Sequence, residues 1–481
     1  MVDDQFDAGE PVPASQKLYY GLGQFGSAML MGIFNAAVLK FYIDVVQLST
    51  GIITIIFALF MVWNTINDPI FGYFSDSRKP SKNIGKRLPW MRVFNPFLVL
   101  FFALTWFSPL GDGWVQGAYL LLMLLLYDTG YTIVVLNFCA LLADMSTSTI
   151  QRSKIQLVGG VLGAVAAIVS IIVPSFFLTG EINLPAFQTA MVIVAIVCFV
   201  TLELCAYKVK IRSITEEEKP IGIIEAIKRS LKNKSFVALV TSNFTMVFLS
   251  AVAIGSLFYF TEYVLGVTGL ELVIPIVFVF SGCVLGMVLL MRWIKTSGVK
   301  AGMLRGMIMC GIGLVAATFL PGWAIYIAMI FVGVGIIMPL LTFNVLVGEL
   351  ADEEDVKTGT RREGMFFGFN ALVTKPANSI GAMFIAFMLD AFGYITPEQV
   401  GDIFIPQPQD DVTVLGIRIL FGLVPGILVL LGAWIFSKYD LHGERLAEVK
   451  RFLKERDLAT REQAQNEAVN GNKGLADRPG T

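Results

Sequence analysis

Twelve windows of about 20 predominantly apolar residues run through the chain, and each is long enough to cross a bilayer as a helix. Soluble proteins carry about 25% charged residues, whereas this chain has 15% charged and 56% hydrophobic residues. We therefore expect an all-α polytopic membrane protein with twelve transmembrane helices. The expected spans are 18–42, 50–74, 90–108, 114–145, 155–178, 187–207, 236–263, 272–294, 303–320, 323–350, 365–392 and 415–436.

Basic residues are distributed unevenly among the connections between these windows. Of the 36 Lys and Arg residues, all but Lys40, Lys375 and Arg418 lie in or beside the N-terminal arm, the even-to-odd connections and the C-terminal tail. Cytoplasmic loops carry such an excess of basic residues. We therefore expect a multi-pass protein of the cell (cytoplasmic or inner) membrane with both termini in the cytoplasm.

The longest basic connection, 208–235, divides the windows into two groups of six. We expect two six-helix halves, 17–207 and 236–437, joined by this cytoplasmic linker, with an amphipathic surface helix at about 221–231. The motif Leu-Ala-Asp ends the fourth window of each group, at Asp144 and at Asp352, and Arg152 and Arg361 follow. Equivalent motifs at equivalent positions are consistent with a duplicated half.

The two ends of the chain are expected to lie outside the membrane. Residues 1–16 form an acidic arm without the apolar core of a signal peptide, and we expect this arm to be disordered in the cytoplasm. The tail, 438–481, begins with a charged helix-like stretch at 440–457, whose apolar stripe is Leu446, Val449 and Leu453. The rest of the tail is rich in Gly, Asn and charged residues and is expected to be disordered.

The segment 63–87, WNTINDPIFGYFSDSRKPSKNIGKR, places the carboxylate of Asp68 inside the second apolar window. Asn64 and Asp68 are four residues apart with Asn67 between them, so the three side chains project to one side of a helix. Ionisable side chains inside spans usually face a cavity and bind an ion, a proton or a substrate. The alternative is a structural carboxylate paired with a neighbouring helix.

Asp128 in the fourth window and Lys375 in the eleventh lie near the bilayer midplane, roughly 16 to 21 Å from their span ends at 1.5 Å per residue. Because one is acidic and the other basic, we expect them to share a central cavity with Asp68. The alternative is that Lys375 only neutralises an acid and holds two helices together. Polar side chains accompany both residues on the same helical sides: Tyr131 and Thr132 beside Asp128, and Asn370 and Thr374 beside Lys375.

The sequence contains no catalytic triad, phosphate-binding loop or metal-ligand spacing, so we expect no enzyme and no cofactor. The only histidine, His442, follows the last window, which excludes a histidine proton relay in the membrane. The five cysteines lie in apolar runs and are expected to be small core residues: Cys139, Cys198, Cys205, Cys283 and Cys310. We interpret four acids at span ends as interfacial rather than functional: Glu203, Glu262, Glu349 and Asp390.

Several stretches together resemble the glycoside/pentoside/hexuronide:cation symporters of the major facilitator superfamily, to which melibiose permease belongs. They are KLYYGLGQFG and FYIDVVQLS near the first window, INDPIFGYFSD with GKRLPW, YTI in the fourth window, LADEEDVKTGTRREG after the tenth, and Lys375. The resemblance covers about residues 17–451. It implies the major facilitator superfamily fold, with two six-helix halves rocking about a site that a cation and a sugar share.

The resemblance also implies site residues. Its cation site falls on Asn64, Asn67, Asp68 and Thr132, and the sequence departs from the family pattern at Asn64, where a second Asp is usual. The sugar-binding acids of melibiose permease fall on Ala28 and Val135, and its span-five Arg falls on Leu162. The implied substrate-binding residues are Tyr131, Phe343, Asn370, Thr374 and Lys375, with Asp128 in place of the missing acid.

We therefore expect a secondary active transporter that couples a cation to a sugar or glycoside by alternating access. Two alternatives remain: a carrier of a lysolipid or another amphiphile, and a non-transporting membrane sensor or scaffold. Because one of the two acids of the family's cation site is missing, we favour H⁺ coupling through Asp68. Na⁺ is the alternative coupling ion, and we expect no other metal ion. We further expect a monomer in contact with membrane lipid and no nucleic-acid partner.

Overall fold

The computed structural model describes residues 11–76, 87–109, 111–146, 148–211, 233–359, 363–456 and 458. Within them, ten helices are long and apolar enough to cross a membrane. The one within Gly269–Phe319 contains two spans, and Leu88–Leu104 is a shorter apolar helix of 17 residues. The predicted twelve spans are therefore confirmed in number and order.

Spans 1 to 12 comprise, in chain order, Ala14–Val45, Thr50–Asp76, Leu88–Leu104, Gly113–Met145, Thr149–Leu178, Leu184–Lys208, Lys234–Gly255, Val273–Phe319 for spans 8 and 9, Ala324–Thr358, Glu363–Ala391 and Asp411–Ser437. Span 7 continues after Ser256 through Leu257–Phe260 and a wider turn, Thr261–Leu265. We call the end of the bundle where span 1 begins and span 12 ends the terminal end, and the opposite end the far end.

Spans 8 and 9 are separated by a single non-helical residue, Gly298, with φ 81° and ψ 172°. Only glycine adopts this backbone region readily. A Cβ at Gly302 would lie 2.7 Å from Leu290, although twelve residues of straight helix would separate the two by about 18 Å. The chain thus folds back at Gly298, and the expected connection of several residues is reduced to one.

Short polar residues fix the beginnings of five spans. In each case a side-chain oxygen accepts a hydrogen bond from a backbone N–H in the first helical turn, which satisfies one of the unpaired donors at a helix N-terminus. These capping residues are Asp112, Ser148, Asn183, Asn233 and Asp410. The apolar helices therefore begin at sequence-encoded positions.

The first helix begins at Ala14, three residues before the expected boundary at position 17. The segment before it is held in place, because Val12 is buried and its N–H donates to the side chain of Gln151. Gln16 then donates to the carbonyl of Lys208 and accepts from the N–H of Lys210. The arm is therefore ordered from residue 11, and the expectation of disorder up to residue 16 is wrong for this part.

The charged helix expected in the tail is present at 444–456 and packs against the terminal end of span 10. Arg445 pairs with Glu353, and Arg456 pairs with Asp355, both at 2.5 Å. Val449 is buried, and the other two stripe residues pack against the core. The expected surface helix at 221–231, Arg361, and most of the arm and tail lie outside the described residues.

The two halves meet along spans 2 and 11 and along spans 1 and 7. Within the first half, span 1 packs against spans 5 and 6, and span 4 packs against spans 2 and 3. Within the second half, span 7 packs against spans 11 and 12, and the spans 8 and 9 helix packs against span 10. Spans 2, 4 and 11, which contain all the predicted site residues except Phe343 of span 10, are thereby brought to the centre of the bundle.

A small antiparallel sheet joins the halves at the far end. Strand β1, Ile182–Asn183, precedes span 6, and strands β2, Glu398–Val400, and β3, Ile403–Ile405, lie between spans 11 and 12. The strand order is β1-β3-β2, with Ile182 opposite Phe404, and both of these side chains are buried. The far end is therefore closed partly by backbone hydrogen bonds between the two halves.

Candidate functional site

A cavity of about 220 Å³ lies between the halves, near the middle of the bundle. Spans 1, 2 and 4 line it from the first half, and spans 7 and 11 line it from the second. Most of its wall is apolar, as is usual for small-molecule sites. The polar side chains in the wall are Asn35, Asn64, Asp68, Tyr127, Asp128, Tyr131, Thr132, Lys375, Asn378 and Ser379.

Five of the predicted residues form one hydrogen-bonded group, which we call the charged network: Asn67, Asp68, Asp128, Thr132 and Lys375. The ammonium of Lys375 donates to Asp68 Oδ1 at 2.5 Å and to Asn67 Oδ1 at 2.8 Å. The Thr132 hydroxyl donates to Asp68 Oδ1 at 3.1 Å. The Asn67 amide nitrogen donates to Thr132 at 3.0 Å and to Asp128. Spans 2, 4 and 11 are thus linked through this network, in which Lys375 is the only basic residue.

The electrostatics of the network are asymmetric, because two carboxylates share one ammonium. Asp68 and Lys375 keep 29% and 20% of their side-chain surface exposed, so this ion pair faces the cavity rather than the protein interior. Asn67 has no exposed surface and lies behind the pair. An incoming ion or proton therefore reaches Asp68 before it reaches Asn67.

The structure places the other predicted site residues differently. Asn64 and Tyr131 line the cavity, whereas Phe343, Asn370 and Thr374 are absent from its described wall. Asn370 instead accepts a hydrogen bond from Asn243 at 2.9 Å, and the Thr374 hydroxyl donates to the Asn370 carbonyl at 2.8 Å. Phe343 packs edge-on against Phe367. Substrate contact by these three residues stays a prediction.

Sequence reasoning missed four polar residues of the wall: Asn35, Tyr127, Asn378 and Ser379. Two signals in the sequence could have identified three of them. Ser379 and Asn378 follow Lys375 by about one helical turn, and Tyr127 directly precedes Asp128. Asn35 is an isolated amide in an apolar window, and only the packing of span 1 against span 7 shows that it faces the cavity.

A second charged group was also missed and lies at the far end; we call Lys40, Asp44 and Glu262 the far-end cluster. Lys40 is 1% exposed and donates to Asp44 at 2.7 Å and to Glu262 at 3.0 Å. Because Glu262 belongs to span 7 and Lys40 to span 1, this ion pair joins the two halves. The interpretation of Glu262 as an interfacial residue is wrong, since its side chain is only 7% exposed.

Every carboxylate oxygen of the far-end cluster accepts a hydrogen bond. Asp44 accepts from the hydroxyls of Tyr259 at 3.3 Å and Tyr394 at 3.2 Å, besides Lys40. Glu262 accepts from the N–H of Gly180 at 2.9 Å, besides Lys40. These bonds come from three separate regions of the chain. Two buried carboxylates are tolerated with one ammonium because neutral donors complete their hydrogen bonding.

The burial of the remaining acids and of the cysteines agrees only in part with what the sequence predicted. Glu349 is buried at the terminal end and lies 3.5 Å from Lys450 of the tail helix, so it is not interfacial. Asp390 is exposed and accepts from Thr50, as expected for a span end.

Three of the five cysteines are buried, whereas Cys139 is exposed and Cys283 is half-buried. Cys283 packs against a cluster that includes Val334 and Met338 of span 10.

A family model described as MFS/sugar transport protein matches residues 19–443. The symporter YjmB of Bacillus subtilis (strain 168) is 25% identical over 445 residues, which cover 90% of this chain and 94% of the relative. A Salmonella typhimurium protein described as a sulfoquinovose importer is 24% identical over 94% of each chain. The sodium-dependent lysophosphatidylcholine symporter 1 of Xenopus tropicalis is 23% identical over 86% of this chain and 84% of the relative.

Among solved structures, the nucleoside transporter NupG superposes with a TM-score of 0.61. The match covers 88% of this chain and 99% of NupG at 11% sequence identity. At this identity the likeness shows the fold alone.

Proposed function

The chain belongs to the MFS/sugar transport family, and we propose that it is a secondary transporter that moves a sugar-like substrate across the membrane together with a proton. As a member of a transporter family, it is not an enzyme. The observation that carries the proposal is the pair formed by Asp68 of the first half and Lys375 of the second, 2.5 Å apart on the wall of the central cavity.

The position of Lys375 supports proton coupling over sodium coupling. Its ammonium lies on Asp68 Oδ1 and Asn67 Oδ1, two of the oxygens that a sodium ion at this site would need. A sodium ion there would sit within about 4 Å of the ammonium, where two like charges repel by roughly 4 kcal/mol at an effective dielectric constant of 20. A proton needs only one carboxylate oxygen, and Asp68 provides it.

The pair also provides a mechanism for coupling. When Asp68 takes up a proton, it loses the charge that attracts Lys375. The freed ammonium then donates to an oxygen of the substrate, so that proton and substrate load together. With the site empty and Asp68 ionised, the two halves stay linked through Lys375. Both ligands thus change the same contact between the halves, as coupled transport requires.

The size of the cavity favours a compact substrate. Pockets for drug-sized ligands usually measure about 300 to 1,000 Å³, whereas this cavity measures about 220 Å³. A sugar-like substrate also agrees with the family description and with the relative described as a sulfoquinovose importer. A lysolipid is the second candidate, because a lysophosphatidylcholine symporter is similar over most of its length.

We place the protein in the cell membrane as a monomer, with the terminal end in the cytoplasm. The basic residues beside the terminal end support this orientation. The far end, closed by the sheet and the far-end cluster, then faces outward, and the central cavity is reached from the cytoplasm once the halves rock apart.

Transport in proteoliposomes tests the coupling ion. With radiolabelled sulfoquinovose or D-galactose, a pH gradient without sodium should drive accumulation, and a protonophore should abolish it. Asp68→Asn should abolish accumulation but retain exchange of substrate across the membrane. Asp112→Asn is the matched control, since Asp112 caps span 4 outside the cavity and Asn caps equally well. Uptake that requires sodium and ignores the protonophore at clamped potential would reject the proton.

A further inference from the structure

Besides Asn64 and Tyr131 of the predicted site, four neutral polar side chains of the cavity wall have no hydrogen-bond partner within the described part of the chain, and we call them the orphan set: Asn35, Tyr127, Asn378 and Ser379. Asn35 and Asn378 are exposed to the cavity. Tyr127 and Ser379 are 2% and 1% exposed, and their hydroxyl oxygens are buried without a partner.

An unpartnered buried hydroxyl is unusual, because it has lost its hydrogen bonds to water without replacing them. Other buried serines of this chain avoid the problem: Ser242 and Ser256 donate to the carbonyls four residues before them, at 2.7 and 2.6 Å. Ser379 does not make this bond, although it lies inside a helix, three residues after Pro376. Its hydroxyl is therefore buried and unpaired in a residue that lines the cavity.

Tyr127 is held rigidly in the wall. Its ring stacks on Phe34 with centroids 4.0 Å apart and an interplanar angle of 10°, and Tyr131 packs beside it with centroids 5.9 Å apart. Rotation of the ring plane is therefore restricted. A hydroxyl fixed in this way binds a ligand atom with little loss of side-chain entropy.

The orphan set differs from the charged network in two respects. The charged network is satisfied by its own members, whereas the orphan set has no partners in the described protein. Ser379 lies one helical turn beyond Lys375, which corresponds to about 6 Å toward the far end. The cavity thus presents charge on one side and uncharged hydrogen-bonding groups on the other.

We propose that the orphan set is a binding subsite for the hydroxyl groups of a neutral, polyhydroxylated part of the substrate. All four side chains both donate and accept hydrogen bonds, as sugar hydroxyls do. None carries a charge, so the subsite does not select an ionic group. An acyl chain in this place would leave all four unpaired. This inference rests on the proposed function and specifies its substrate class.

Ligand binding to the purified full-length protein tests the subsite. Thermal unfolding is measured with D-glucose, D-galactose, D-xylose, melibiose, sulfoquinovose and lysophosphatidylcholine, and the Kd of the most stabilising sugar is determined by titration. Tyr127→Phe and Ser379→Ala should each raise this Kd about tenfold. The control is Tyr439→Phe, because the Tyr439 hydroxyl is also buried and unpartnered but lies outside the cavity wall.

The stability of the ligand-free variants separates binding from folding. All three substitutions remove a buried unpaired hydroxyl, so the ligand-free Tm should stay unchanged or rise. Only the two cavity variants should lose sugar binding. A monodeoxy analogue that lacks the contacted hydroxyl should bind the wild-type protein more weakly than the parent sugar does. The Tyr127→Phe or Ser379→Ala variant that has lost this contact should bind the analogue and the parent sugar with nearly equal affinity.

The possible outcomes are distinguishable. Equal sugar affinity in wild type and both cavity variants overturns the subsite and leaves the proposed sugar transport intact. A wild type that none of the sugars stabilises, whether or not lysophosphatidylcholine does, overturns both the subsite and the sugar as substrate.

Discussion

Removing the ammonium of the far-end cluster should open the far end of the transporter. Lys40→Met keeps the length of the side chain but leaves the carboxylates of Asp44 and Glu262 buried without a compensating charge. Met is preferable to Ala because it also preserves the packing of the alkyl chain, so the charge is the main change.

The magnitude follows from the burial of the cluster. Breaking a buried ion pair by removing one partner costs about 3–5 kcal/mol, because the remaining charge stays uncompensated. Here the cost falls on the closed state, in which Asp44 and Glu262 from opposite halves face one another. When the halves separate at the far end, water solvates both carboxylates. At about 1.4 kcal/mol per factor of ten, the equilibrium should shift toward the open far end by roughly 100-fold to several thousand-fold.

Accessibility of a cavity residue from the far side measures this shift. Ala382 lines the cavity and is converted to Cys in a protein whose five native cysteines are replaced by Ser. A membrane-impermeant maleimide should label it at least tenfold faster in Lys40→Met than with Lys40 present. Lys357→Met is the control, since Lys357 is 51% exposed and pairs with Glu353 at the terminal end, where such a pair contributes less than about 1 kcal/mol.

Labelling of a well-folded Lys40→Met protein at the rate of the parent would refute the reasoning. It would mean that the sheet and the apolar contacts hold the far end closed without the cluster. A variant that fails to fold is recognised by size-exclusion chromatography, and Lys40→Gln, which retains a hydrogen-bond donor without the charge, then replaces it.

Three further predictions follow from the same structure. Lys375→Ala should abolish or strongly reduce uptake while leaving membrane insertion intact, as measured by transport in vesicles matched for protein content; normal accumulation would make Lys375 purely structural. Gly298→Ala should destabilise the protein by about 1–3 kcal/mol because of the backbone conformation at Gly298, whereas Gly160→Ala, at an uncrowded helical site, should be neutral or stabilising in thermal unfolding. An impermeant maleimide applied outside cells should label Cys at position 402 and should reach position 444 only after permeabilisation; the reverse pattern would invert the orientation.

The number of spans and the core of the charged network were predictable from the sequence, for identifiable physical reasons. An apolar window of about 20 residues has few alternatives to a membrane helix. A mid-span charge such as Asp68 or Lys375 needs a partner, and only a few charges lie at the same depth. The contact between these two residues, from opposite halves, confirms this reasoning.

The pairing of the far-end cluster and the absence of partners for the orphan set were not predictable, because both depend on packing between distant segments. Lys40 and Glu262 are 222 residues apart, and each alone resembles an ordinary span-end residue. Ser379 alone resembles any serine that bonds to its own helix. Whether its hydroxyl is paired is decided by the local rotamer and by the cavity beside it, and neither is encoded in hydropathy or in spacing.

The sheet at the far end determines how accurately the two halves are aligned when that end closes. Side chains in a strand alternate between two faces, so a shift of the pairing by one residue would turn Phe404 out of the core and expose it to water. With Ile182 and Phe404 opposite one another and both buried, only one alignment returns both to the interior. The two-residue strand β1 is short enough to separate at modest cost during every transport cycle. The pairing of β1 with β3 therefore returns the two halves to the same relative position each time the far end closes.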